Sequence, residues 1–346
     1  ERAAPAEASA AAPANAQIRH AVIVASPSAI AATSMAPTAG RGNAVTKAVV
    51  LALLLAAAAP VLAAPAAPVK KTPPLADILA ASPASDWRPI DQARLLYMQL
   101  PTGRVLIELA PEFAPNHVDN IRRLASAGFF DHVAIVRAQD NFVVQWGAPE
   151  GQAAPPLGDA KPRLAPEFTR PAKGLAAFTR LPDPDAYAPQ TGFVAGFAAA
   201  RNPATGRAWL THCYGTVAVG RENAADSGNG GELYAVIGPA RHLDRNLTVV
   251  GRVVEGMPLL ASRPRGDAAL GFYSKPADVT PVRLRFGTDM PAAERASLET
   301  LRTDSKTFAT VIDARRNRHD DFYAVPPGGV DVCNVPLPVR PKPGGP

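Results

Sequence analysis

Cysteine is nearly missing from this 346-residue chain, which has only Cys213 and Cys333. Two thiols exclude a disulfide-dense scaffold and an iron–sulfur cluster held by four thiolates. Aromatic residues make up 6% of the chain, and no run of five or more Lys or Arg stands beside them. Nucleic acid therefore finds neither a stacking track nor a basic stripe, and it is excluded as the main partner. The six histidines show no HExxH or CxxC type of spacing, so no metal site is expected. No serine sits in a GxSxG elbow. Gly228-Asn229-Gly230-Gly231 lacks the Lys-Ser/Thr ending of a phosphate loop and reads as a turn. A long apolar run is also absent, since Ala48–Ala59 is too short to span a bilayer. The apolar share is 47%, which excludes wholesale disorder, and the 37 Pro and 26 Gly are aperiodic, which excludes collagen. The net charge of +6 is a weak bias, and the length allows one or two domains.

The organisation follows from composition. Residues 1–70 hold 27 alanines and have little surface to bury. Within them, Arg41 and Lys47 precede the apolar run, which ends in small residues with Val61 and Ala63 at the two recognition positions. This is a secretory signal pattern over 35–63, expected to be cut after Ala63, with an N-terminal membrane anchor as the competing reading. Met35 is the expected start, which makes 1–34 an upstream extension. The protein is then expected in the periplasm or secreted. Residues 64–86, rich in Ala and Pro, read as a spacer, with folding beginning near Trp87. A barrel domain is expected over 87–288, with an insertion at 148–210, followed by a C-terminal extension over 289–346 packed on the barrel.

Periodicity supplies the elements. Arg94–Leu100 and Arg104–Leu109 are β-leaning runs around Pro101-Thr102-Gly103, a hairpin. Val118, Ile121 and Leu124 place one apolar stripe on a helix over about 115–127, closed by Gly128. His132–Gly147 reads as two short strands around Gln139-Asp140-Asn141. Phe193–Ala200, Gly215–Gly220, Leu233–Ile237 and Asn246–Glu255 read as strands, and Met257–Ser262 as a second helix. Many short strands with few helices predict an antiparallel barrel rather than a βαβ fold. In the tail, Pro291–Leu301 and Ser305–Arg318 have helical patterns, and 320–340 holds short strand-like pieces. Cys213 and Cys333 either pair, pinning the tail to the barrel, or stand as two buried free thiols.

The strongest local pattern is Ile135-Val136-Arg137 followed by Phe142-Val143-Val144-Gln145-Trp146-Gly147. It resembles the phenylalanine-histidine-arginine, phenylalanine-methionine and glutamine-glycine-glycine blocks of the cyclophilin-type peptidyl-prolyl isomerases. Further blocks follow in the family's order. The opening hairpin, Ala110-Pro111-Glu112-Phe113-Ala114-Pro115 and Asn120 match its N-terminal half. Gly215–Arg221, Gly231-Glu232-Leu233-Tyr234, His242-Leu243-Asp244 and Val249–Met257 match its later segments. The resemblance covers about 92–262. It implies an eight-stranded antiparallel β-barrel capped by two helices, here with a C-terminal α/β extension. It also implies cis/trans isomerisation of X–Pro bonds in proline-containing polypeptides, with no cofactor.

The chemistry explains why such residues suffice. Rotation about an X–Pro bond makes and cuts no bond, so no nucleophile is needed. A fixed donor stabilises the proline nitrogen as it pyramidalises, and an apolar slot holds the ring. Arg137 is the expected donor. Phe142, Val143, Tyr234 and Leu243 would line the slot, Gln145 would hold the substrate, and the Arg221 backbone would align the peptide. Glu232 stands where the family has glutamine, placed either to pair with Arg137 or to neutralise part of its field. Tyr234 replaces a phenylalanine, and its hydroxyl requires a partner when buried. Val143, His242, Leu247, Trp146 and Ala148 are further departures, replacing methionine, tryptophan, histidine, glycine and aspartate. Two other readings share these features: a proline-peptide binding module without catalysis, and an envelope structural protein. The sequence leaves the oligomeric state open.

Overall fold

The computed structural model describes residues 71–153 and 155–344. The upstream extension, the signal segment and the start of the spacer lie outside the described residues. Eight antiparallel strands close a barrel. In chain order they are β1 (Leu95–Leu100), β2 (Gly103–Leu109), β3 (Val133–Gln139), β4 (Val143–Gly147), β5 (Thr216–Val219), β6 (Leu233–Val236), β7 (Val249–Glu255) and β8 (Thr280–Phe286). Around the barrel they run β5-β6-β4-β3-β8-β1-β2-β7. Closure leaves no free sheet edge. Alternation along each strand sends Leu96, Met98, Val105, Ile107, Val144, Trp146, Leu233 and Ala235 into one buried core.

The helix Pro115–Ser126 begins on a proline, whose missing N–H has no helical partner to lose. Its buried face includes Val118, Ile121 and Leu124, the stripe read from the sequence. Gly128, at φ 73°, ends it in a conformation that side chains disfavour. The second helix is Met257–Ala261, whose Leu260 enters the barrel core. Among the described residues no helix is long and apolar enough to cross a membrane.

The insertion is a sheet of its own. Arg170–Pro171, Phe178–Arg180, Gln190–Val194, Phe197–Asn202 and Arg207–Leu210 form five antiparallel strands. The single strand expected over Phe193–Ala200 is two strands. Ala195 and Gly196, at φ 50° and 91°, make the tight reversal between them.

A second core lies outside the barrel. It joins Phe193 and Leu181 of the insertion to Phe308, Val311, Leu301 and Val332 of the tail, together with Trp87 and Ile78. Folding therefore begins before Trp87: Leu75–Ala80 is a helix that buries Ile78, and the expected spacer is packed from there on. The tail also departs from its pattern. Only Lys306–Arg316 is an α-helix. Leu298–Leu301, expected to be helical, is a strand paired with Trp87–Pro89 on one side and Val339–Pro341 on the other. Long-range pairing overrides local propensity there. The Val332–Asn334 piece is a single 3-10 turn rather than a strand. Cys213 and Cys333 form a disulfide that ties this turn to the segment before β5, settling the alternative left open by the sequence. Leu298 packs with Leu95, Tyr97 and Leu106 on the outer face of the barrel.

Candidate functional site

One rung of the barrel carries the site. Arg137 on β3 stands opposite Gln145 on β4, and Gln145 stands opposite Tyr234 on β6. Val144, Trp146, Leu233 and Ala235 fill the barrel, so their neighbours Gln145 and Tyr234 face outward. Arg137 reaches that face by a different route. Ile135 lies in the core, and strict alternation would send Arg137 inward as well. A register shift between Ile135 and Arg137 inserts one extra residue and turns the arginine out, with Ala138 returning to the core. A bulge thus places a charged side chain that simple alternation would have buried among aliphatics.

The guanidinium is held on all sides. Nε donates to the Leu270 carbonyl at 2.7 Å, Nη1 to Gln145 Oε1 at 3.1 Å, and Nη2 to Gln139 Oε1. The rings of Phe142 and Phe272 lie 5.6 and 5.3 Å from its carbon, within cation–π range. Phe272 also makes an isolated β-bridge to Arg137, and Tyr273 N–H donates to the Val136 carbonyl at 3.0 Å. The segment between Met257–Ala261 and β8 therefore lies along β3. Leu270, at φ 60°, turns its carbonyl onto the arginine in a conformation that costs a branched side chain energy. Burial pulls the Arg137 pKa down from its ordinary value to about 10, partly offset by Tyr234 and Glu232. The side chain stays cationic at neutral pH.

Gln145 links two groups. Its Oε1 accepts from Arg137, and its Nε2 donates to Glu232 Oε2 at 3.2 Å. An amide both donates and accepts, so Gln145 carries the influence of the carboxylate to the arginine. Phe142 is buried, its ring stacked on His242 with centroids 5.7 Å apart. Val143 flanks Gln145 on the same strand face, and Leu243 is buried in the Arg241–Leu243 turn beside His242. Trp146 points into the barrel core, away from the outward face of the rung.

The rung is shut off from solvent in this structure. Arg137, Val143 and Tyr234 expose nothing to solvent, and Gln145 almost nothing. Arg221 follows Gly220, whose N–H donates to the Glu232 carbonyl at 2.9 Å. The Arg221 side chain donates to the carbonyls of Glu222 and Asn223 in its own loop and of Asn246 in the segment before β7. A cavity of about 270 Å³ lies elsewhere, between Phe197 and Leu210 of the insertion, Arg252 and Met257 of the barrel, and Val335 of the tail.

Sequence reasoning missed Gln139, Leu270 and Phe272, which together with Gln145 and Phe142 enclose Arg137. It also missed the partners of Tyr234. Burial pushes the phenol well above its ordinary pKa, as does the charge of Asp244, and the hydroxyl lies 3.0 Å from His212 Nε2. The need for a partner was readable from the residue type, but the partner's identity was not.

Three comparisons bear on this geometry. The family model described as cyclophilin type peptidyl-prolyl cis-trans isomerase matches residues 95–268, half of the chain. Among curated proteins, the chain is similar to peptidyl-prolyl cis-trans isomerase-like 2 of Gibberella zeae, 27% identical over 164 residues, which is 47% of this chain and 22% of that protein. It is also similar to the protein of the same name in Neurospora crassa, 25% identical over 159 residues, which is 46% of this chain and 20% of that one. The chain thus spans about a fifth of the length of these relatives. Among solved structures, cyclophilin AquaCyp293 from Hirschia baltica superposes with a TM-score of 0.57 at 26% identity, covering 73% of this chain and 92% of its own.

Proposed function

The chain belongs to the cyclophilin-type peptidyl-prolyl cis-trans isomerase family, and from that premise we propose that it accelerates rotation about X–Pro bonds in extracytoplasmic polypeptides. The observation that carries this reading is the Arg137–Gln145–Tyr234 rung, in which a bulge turns a cation onto the outer barrel face within the family-matched segment.

The mechanism needs no bond cleavage. The uncatalysed barrier of ~18–20 kcal/mol reflects lost amide resonance. As the C–N bond twists, the proline nitrogen pyramidalises and its lone pair, no longer shared with the carbonyl, localises on it, so a pre-aimed N–H lowers the energy of that state more than that of the planar one. The guanidinium has five N–H groups in a rigid fork. Three serve the hydrogen bonds to Leu270, Gln139 and Gln145, which fix the plane. The other two are left for substrate. Phe142, Val143, Tyr234 and Leu243 supply the apolar wall for the ring once Phe142 or the Leu270–Phe272 segment swings aside. Gln145 fixes the arginine, and its tie to Glu232 fixes Gln145. The Arg221 backbone aligns the peptide. The Cys213–Cys333 disulfide suits an oxidising compartment, in keeping with the secretory pattern of the N-terminal segment.

The complete burial of Arg137 favours a second reading, a module that binds proline peptides without turning them over. One assay separates the two: isomerisation of a short X–Pro peptide by the whole chain, beside Arg137→Ala. Acceleration that falls at least about tenfold in the variant, equal to 1.4 kcal/mol of barrier, supports the enzyme. Binding without acceleration supports the module. Equal acceleration by both proteins overturns the role given to Arg137.

A further inference from the structure

The hydroxyl of Tyr234 heads a buried chain of polar groups that leaves the barrel. His212 Nε2 lies 3.0 Å from the hydroxyl, with the two rings near parallel at 16°. On its other side, His212 Nδ1 lies 3.1 Å from Asp244 Oδ1, which also accepts the His212 backbone N–H at 2.9 Å. Asp244 Oδ2 accepts from Arg241 Nε at 2.7 Å. The two Nη atoms of Arg241 donate to both oxygens of Asp185, at 2.9 and 3.0 Å. Every side chain along this path is more than nine-tenths buried. Asp185 belongs to the insertion, between the strands Phe178–Arg180 and Gln190–Val194.

The donors set the direction of the chain. An ionised carboxylate only accepts, so His212 carries a proton on Nδ1, and in the neutral ring Nε2 is then the acceptor. The Tyr234 O–H therefore donates to His212 and points away from the slot. We infer that His212 is a positioning residue for the proline slot, and that Asp185 and Arg241 make the insertion part of that site. This rests on the isomerase reading and extends it. With the hydroxyl occupied, the phenol ring presents a face as apolar as a phenylalanine to the substrate. Without His212, a buried hydroxyl loses its only hydrogen-bonding neighbour among the described residues and must turn toward water through the slot, so binding of the proline ring weakens.

The test is a set of variants of the whole chain, read by X–Pro peptide isomerisation and by titration of the same peptide. His212→Ala is expected to lower kcat/KM about tenfold, mostly through KM, the size set by one orphaned buried hydroxyl. Adding Tyr234→Phe to that variant is expected to recover most of the loss, because the phenyl ring needs no acceptor. Asp185→Ala is expected to act in the same direction, by about threefold, since Arg241 keeps Asp244. Unchanged KM in His212→Ala overturns the inference, and so does a loss that Tyr234→Phe leaves in place, because a purely structural histidine gives that pattern. Nitrogen NMR of His212 reads the contact without any activity, and a proton on Nε2 instead of Nδ1 overturns the inference directly. A wild-type protein that neither binds nor isomerises the peptide removes the isomerase reading, and that outcome is distinct from failure of the relay alone.

Discussion

Arg137 and Arg241 are both buried, yet their surroundings are opposite in kind. Arg241 donates to two carboxylates, Asp185 and Asp244. Burial pulls its pKa down, but the hydrogen bond to Asp185 and the charge of Asp244 more than offset this, leaving it above the ordinary arginine value. Arg137 donates to three neutral oxygens and lies against two aromatic rings, and its pKa falls to about 10. A cation matched by anions is a structural brace whose field is spent at short range. A cation held by neutral dipoles keeps its field for whatever enters beside it. The first is the brace that ties the insertion to the rung, and the second is the donor proposed for substrate.

Exchange of each arginine for methionine tests that division. Arg241→Met strands two buried carboxylates and is expected to cost about 3–5 kcal/mol in urea unfolding. Arg137→Met removes a desolvated charge while keeping volume. It is expected to leave unfolding stability unchanged or raised, and to lower isomerisation about a hundredfold, as loss of one pre-aimed donor does elsewhere. A large stability loss in Arg137→Met would erase the distinction between the two arginines.

Glu232→Gln sharpens the comparison from the Arg137 side. A glutamine oxygen can still accept from Gln145 Nε2, so the Gln145 orientation survives while the negative charge goes. A rate gain of about threefold is expected, on the order of 0.6 kcal/mol of barrier. A loss would show that the carboxylate supports the arginine.

pH separates the two regions by a smaller margin. Burial raises the Asp244 pKa, but the His212 hydrogen bond and the Arg241 charge outweigh it, leaving it below 3.8. The unfolded chain then binds more protons near that range. The contribution of Asp244 is fully present above 3.8 and is lost as pH falls through its folded value. Arg137 responds at the other extreme. Between about 10 and the ordinary arginine value the unfolded chain again binds more protons, so its stability term rises with pH while the cation of the proposed mechanism disappears. Acid unfolding and a rate decline beginning near pH 10 are the two expected readings.

Much of the barrel was legible because its signals are local. The hairpin at Pro101-Thr102-Gly103, the Val118–Ile121–Leu124 stripe and the blocks around Arg137, Tyr234 and Leu243 depend on neighbours a few residues apart. Phe142 and Gln145 beside Arg137 were legible too, but the distant partners of both arginines were not. Leu270 is 133 residues from Arg137, and Asp185 is 56 from Arg241. The bulge at Ile135–Arg137 was equally hidden, since alternation alone assigns the arginine to the wrong face. Leu298–Leu301 misled for the same reason: its helical pattern yields to a pairing with Trp87–Pro89 that no local window contains.

The most direct measurement follows the Arg137 Nε–H resonance by NMR while an X–Pro peptide is added to the whole chain. If Arg137 meets the substrate, the resonance shifts as the Leu270 hydrogen bond is disturbed, and cis and trans peptide signals exchange faster than in free peptide. A resonance that stays fixed while the peptide signals exchange rapidly would place catalysis elsewhere and contradict the assignment of this arginine.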